Sequence, residues 1–246
     1  MNNINKFAAV ARIKWIGISR NTMIMLGPIM TLGIVWVCKI LYGINTKGEL
    51  SPGLVSMLLT IGISTNICSD GFIMVGTLIA EEKEKHTLHT LMTSSITGMQ
   101  YFIGSILFPF FITMIMNLAI LWISGASIPL KAMPIFFIVN AIVSIISCVI
   151  GMIVGICAKN QMNASLIASP IMMICMMIPM FGNLSEKLHE LSGFLFTGVM
   201  TEMTSSLATG LDYVLKPLDI AVLLGELIIS VLLFLLFYKR NGYEKD

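Results

Sequence analysis

Charge is what this chain of 246 residues has least of: only 11% of it is Asp, Glu, Lys or Arg. A soluble globular domain carries roughly 25%, so the shortage excludes a water-soluble fold and points to an integral membrane protein. The net charge of +2 is too small to attract nucleic acid, and no such partner is expected. A phosphate-cradling G-x-x-x-x-G-K-[ST] loop is missing, as are H-E-x-x-H and G-x-S-x-G. The chain therefore shows no means of hydrolysing ATP, holding a catalytic zinc or presenting a nucleophilic serine. No C-x-x-C pair occurs among Cys38, Cys68, Cys148, Cys157 and Cys175, and all five lie in apolar runs as small packing residues. His86 and His89 share a helix face at i, i+3 spacing, but a zinc site needs a third ligand. No metal site, bound cofactor or enzyme activity is expected of this chain.

What remains is apolar: 57% hydrophobic residues and a mean hydropathy of +0.92. The runs are around 20 residues, rich in Ile, Leu, Met and Val, and do not alternate with polar positions. That pattern predicts spanning helices and not a transmembrane barrel. Six spans follow, at about 23–42, 54–80, 101–125, 133–157, 162–182 and 218–238. No A-x-A-like site follows the first run, so it is expected to stay in the membrane as a helix. The expected fold is an all-α membrane domain of six transmembrane helices covering 1–246. Lysine and arginine set the orientation. With the N-terminus in the cytosol, ten basic residues lie inside and only Lys47, Lys131, Lys187 and Lys216 outside. Lys39, near the outer end of the first span, is expected to snorkel to the interface.

Residues 4–20 place Ile4, Phe7, Ala11, Trp15 and Ile18 on one face, with Lys6, Arg12 and Arg20 elsewhere. This predicts an amphipathic interfacial helix within 1–20. The segment 183–216 has an apolar middle interrupted by Glu202 and a Ser/Thr cluster. A seventh crossing there would put Lys239, Arg240 and Lys245 outside, so a re-entrant or interfacial pair of short helices is expected before the sixth span.

Polar groups inside the spans are the candidates for a translocation path. The second span contains Ser64, Thr65, Asn66, Ser69 and Asp70. Asp70 lies roughly 15 Å deep at about 1.5 Å per residue, where a carboxylate is costly unless paired or wet. Glu226 in the sixth span is the other candidate. Asn66, Asp70 and Glu226 line a path or make helix–helix hydrogen bonds. Gly151 and Gly155 form a G-x-x-x-G suited to close packing.

The most unusual stretch is LIAEEKEKHTLHTLMTSS, which packs three carboxylates, two lysines and two histidines into 81–89. The charged part extends the second span into water. Leu88, Leu91 and Met92 then follow at 3–4 spacing, the pattern of a helix that docks in a partner's groove or folds back on its own bundle.

This segment resembles the E-x-E-[KR]-G-T-L-E-x-L-L-x-T-P coupling stretch of ABC type-2 exporter permeases. Glu82, Glu84, Lys85, Thr87, Leu88, Leu91 and Met92 stand in matching places, with Gly104 further on. The chain departs at His86, His89, Ser94–Ser95 and Ser105. AKNQMNASLIASP also resembles the family's short inner loop before the fifth span. The resemblance implies that the coupling segment, 81–99 with Glu82–Met92 at its centre, contacts cytosolic ATPase subunits that bind ATP and Mg. It further implies a permease dimer, homo- or heteromeric, in a bacterial cell membrane, with both termini cytoplasmic. A hydrophobic or amphipathic substrate, such as a peptide toxin or drug, is expected. The rivals are a secondary transporter or channel using Asp70 and Glu226, and a non-transporting immunity or scaffold protein.

Overall fold

The computed structural model describes residues 3–45, 50–85, 87, 98–126, 128–211 and 213–241, and these contain helices and no strand. Helix α1 (Asn3–Arg20) precedes α2 (Thr22–Asn45). Helix α3 (Pro52–Asn66) runs through a π-helical segment (Ile67–Met74) into α4 (Val75–Glu84). There follow α5 (Gly98–Ser124), α6 (Met133–Cys157), α7 (Gln161–Phe181), α8 (Glu186–Gly193), α9 (Phe196–Ala208) and α10 (Pro217–Asn241).

Six stretches are long and apolar enough to cross a membrane: Ile24–Ile44, Pro52–Glu84, Gln100–Ser124, Met133–Cys157, Gln161–Phe181 and Pro217–Tyr238. The molecule is thus an all-α, multi-pass membrane protein. The expected ends of these apolar stretches lie within two residues of the observed ones, with one exception. The second span continues to Glu84 instead of stopping near Ala80, because its charged turn stays helical.

Local chemistry sets several boundaries. Ser51 Oγ accepts from the Leu54 amide ahead of Pro52, and Asn160 Oδ1 accepts from the Asn163 amide at 2.8 Å, so α3 and α7 both start with a side-chain cap. Helix α5 ends at Gly125, whose φ of 80° suits glycine. Lys39 Nζ donates to the Ile123 carbonyl there, at 2.6 Å. Lys39 thereby satisfies an orphan carbonyl at a helix C-terminus, where a cation is favoured.

The second and fourth spans form the centre. In their most apolar stretches 72% and 61% of residues are buried, against 17–33% for the other four, which leaves those four at the outside of the bundle. Glycine allows the contact. A Cβ on Gly151 would lie 2.1 Å from the Gly71 carbonyl, and one on Gly155 would lie 2.8 Å from the Gly76 carbonyl. The G-x-x-x-G of the fourth span thus packs against Gly71 and Gly76 of the second.

Two helical elements outside the six spans also pack on the bundle. On α1 the described buried stripe is Ala11, Lys14 and Ile18, whereas Trp15 is half exposed with its ring 5.2 Å from Phe108. The side chains of Ile4 and Phe7 lie outside the described set. The inward face is therefore turned toward Lys14, a cation that finds its partner inside. The segment before the sixth span forms the short pair α8 and α9, and α9 is buried against the second, fourth, fifth and sixth spans.

Candidate functional site

The charged turn Glu81–Glu84 is only partly in solvent: Glu84 is exposed, and Glu81, Glu82 and Lys83 are half-buried. Each of its four side chains reaches a different part of the bundle. Glu81 Oε2 accepts from Asn21 Nδ2 at 2.8 Å, at the junction of α1 and α2. Glu82 receives Lys14 Nζ at 2.6 and 2.7 Å and the Tyr101 hydroxyl at 2.8 Å, tying α1 and α5 to the second span. Lys14 Nζ also lies 4.3 Å from the Tyr101 ring centroid, within cation–π range. Lys83 Nζ donates to the Ile156 carbonyl at 3.3 Å, on the last turn of α6. Glu84 accepts from the Gln161 amide at 3.4 Å, the first residue of α7. A cation thus meets a helix C-terminus and an anion meets a helix N-terminus, the arrangement each helix dipole favours.

Lys14 is 1% exposed and Glu82 13%. Burial pushes the Lys14 ammonium below its usual range, and the Glu82 carboxylate opposes that shift. A buried pair of this kind is costly to break, because removing one partner strands the other charge. Lys85 is exposed and pairs with Glu81, which raises its pKa. Thr87 is exposed, and its hydroxyl donates to the Glu82 carbonyl at 3.1 Å. His86, Leu88, Leu91 and Met92 lie outside the described residues. Of the expected partner-contact residues, Glu82 and Glu84 therefore spend their carboxylates within the chain.

Midway along the bundle the polar residues separate into two groups. Asn66 Nδ2 donates to the Thr113 carbonyl at 3.1 Å and to Asn117 Oδ1 at 2.8 Å, and Asn117 Nδ2 donates to Asn140 Oδ1 at 2.7 Å. All three asparagines are fully buried, and the amides run head to tail through the second, third and fourth spans. Hydrogen bonds between transmembrane helices contribute about 0.6 kcal/mol each on average, so the ladder fixes register more than it adds stability. Asn117 and Asn140 were not singled out from the sequence, although a lone Asn in an apolar run is the signal that would have found them.

Asp70 stands apart in the π segment, a helix type frequent at functional sites. It is 0% exposed, and neither carboxylate oxygen has a hydrogen-bond partner among the described residues. Gly27 of the first span makes room beside it: a Cβ there would lie 3.8 Å from Asp70 Oδ1 and 2.6 Å from Ser69 Oγ. One residue away, Gly71 packs on Ser147, whose hydroxyl donates to the Ile67 carbonyl at 2.5 Å where the π segment begins.

Glu226, the third path candidate, is not joined to either group. Its Oε2 accepts from the Phe196 amide at 2.7 Å, at the N-terminus of α9. Leu195 precedes that turn and has no polar side chain to cap it, so the sixth span supplies the cap. Glu226 thereby serves to seat α9.

At the end opposite Glu82, α9, the start of α3 and the end of α7 enclose a cleft of about 620 Å³. Ser56 and Thr60 of α3 face Thr201 and Ser205 of α9 across it, with Thr60 Oγ1 and Ser205 Oγ 3.3 Å apart. Met57, Met180, Phe181 and Leu184 supply apolar wall. None of Asn66, Asp70 and Glu226 is among its described lining residues. No protein-family model matches the chain, and no curated protein matches it.

Proposed function

We propose that this chain is the membrane subunit of an ATP-driven ABC type-2 exporter. In this reading the Glu82 end and both termini lie in the cytosol of a bacterial cell, and the chain catalyses nothing itself. ATP and Mg²⁺ are bound by separate cytosolic ATPase subunits, and a second permease copy or a related chain completes the assembly. A hydrophobic or amphipathic molecule is moved.

The observation that supports this reading is the four-way tether of Glu81–Glu84. A partner pressing on the segment after Glu84 pulls at once on α1, α5, α6 and α7. Such a mechanical junction converts ATP binding into a shift between two arrangements of the spans, provided that ATP binds one arrangement better. The apolar positions Leu88, Leu91 and Met92, which follow the junction directly in sequence, supply the docking face. The test is co-purification of an ATP-hydrolysing subunit from membranes. Leu88→Asp with Leu91→Asp abolishes its recovery while the permease remains inserted; unchanged recovery refutes the docking role.

Asp70 favours one rival. An ion-driven carrier needs an intramembrane acid free to take its coupling ion, and Asp70 has no partner among the described residues. Substrate movement in vesicles driven by an ion gradient without ATP would establish that reading in place of the exporter.

A further inference from the structure

We infer that the cleft between α3, α7 and α9 binds a cationic amphiphile, entered from the end of the molecule opposite Glu82. The cleft's volume, about 620 Å³, lies within the range of small-ligand pockets, roughly 300–1,000 Å³. Its lining combines two chemistries. Ser56 and Thr60 of α3 and Thr201 and Ser205 of α9 present hydroxyls at helical spacing. Apolar side chains lie among them and beside them, two of them open to solvent: Leu184 is 77% exposed and Met57 43%. A ligand with an apolar body and a charged or polar group suits such a lining, and an uncharged aliphatic chain does not.

Charge selects further. A second hollow of about 550 Å³ adjoins the cleft and shares Gly182, Leu184 and His189 with it. Glu186 and Glu190 line this hollow, exposed, without an ion pair among the described residues. They sit at i, i+4 on α8, where like charges repel and a bound cation relieves the repulsion. Glu202 in the cleft is already paired with Lys216 at 2.8 Å, beyond the lining. Among the described lining residues of both hollows there are three carboxylates and no lysine or arginine. The positive head of the ligand therefore lies by Glu186 and Glu190, and its body lies along the mixed hydroxyl and apolar lining of the cleft. The hydroxyl row continues one turn deeper on α3 to Ser64, whose buried Oγ has no partner among the described residues.

The site names a substrate class for the exporter reading and rests on that reading only for the direction of movement. Its test uses the purified full chain in zwitterionic-lipid nanodiscs, without ATPase, so failure here and failure of ATPase co-purification are separate results. Tetraphenylphosphonium and tetraphenylborate have the same shape and opposite charge. Saturable binding of the cation above empty nanodiscs, at least tenfold tighter than the anion, is expected. Glu186→Gln with Glu190→Gln, both on the surface of α8, weakens the cation at least tenfold without changing Tm. Leu184→Lys, at an exposed position, does the same by adding a like charge. A short Lys/Leu amphipathic peptide that displaces the cation assigns the site to peptides; cation binding that the peptide leaves intact assigns it to small amphiphiles. Equal binding of the two ions, or cation binding indifferent to both variants, overturns the proposal.

Discussion

Glu82 and Asp70 are carboxylates withdrawn from water on one continuous helical span, and their surroundings treat them oppositely. Glu82 is held by a lysine and a tyrosine from two other helices. Asp70 is fully buried with no described partner at all. The contrast separates two uses of a buried charge. Where the charge is neutralised locally it joins helices and its loss shows as instability. Where it finds no partner it destabilises the arrangement described.

Making Glu82 resemble Asp70 has the largest expected effect. Lys14→Met strands the Glu82 charge and lowers stability in detergent by about 3–5 kcal/mol. Adding Glu82→Leu restores most of that loss, since two apolar groups leave nothing unpaired. A double variant as unstable as the single one would show that Lys14 acts through packing alone, and the comparison would fail.

Making Asp70 neutral in the same shape gives a smaller change of opposite sign. Asp70→Asn raises stability by about 1–2 kcal/mol, while it impairs transport or ATPase stimulation. A lower Tm in this variant would mean that Asp70 has a partner after all. The smallest effect belongs to Lys85, exposed and paired with Glu81 on the same helix. Lys85→Ala leaves Tm unchanged in a thermal melt, because surface pairs contribute little. A clear drop would place Lys85 in the same class as Lys14.

The spans were legible because hydropathy is a property of consecutive residues, and bilayer thickness demands a run of definite length. Gly151 and Gly155 were legible as a packing surface for the same reason, though their partners Gly71 and Gly76 were not. The four tethers of Glu81–Glu84 were misread as solvation. Their partners Lys14, Asn21, Ile156 and Gln161 are scattered along the chain, and a local reading sees only an excess of charge. Trp15 misled in a related way: periodicity chose the most apolar stripe of α1, whereas packing turned the helix toward Lys14, whose charge Glu82 balances. Glu226 stands out in the sequence only as an acid in an apolar run. That it caps α9 shows only in the placement of the two helices.

By itself the sequence determined the number and type of the spans and most of their limits, since each depends on local composition and on backbone groups that must be satisfied within a helix. The tertiary structure alone decided which polar residues are spent on holding the bundle together and which remain free. That distinction depends on distances between helices remote in sequence. At those distances a carboxylate either meets a cation, a hydroxyl or an amide, as Glu82, Glu84 and Glu226 do, or meets none among the described residues, as with Asp70.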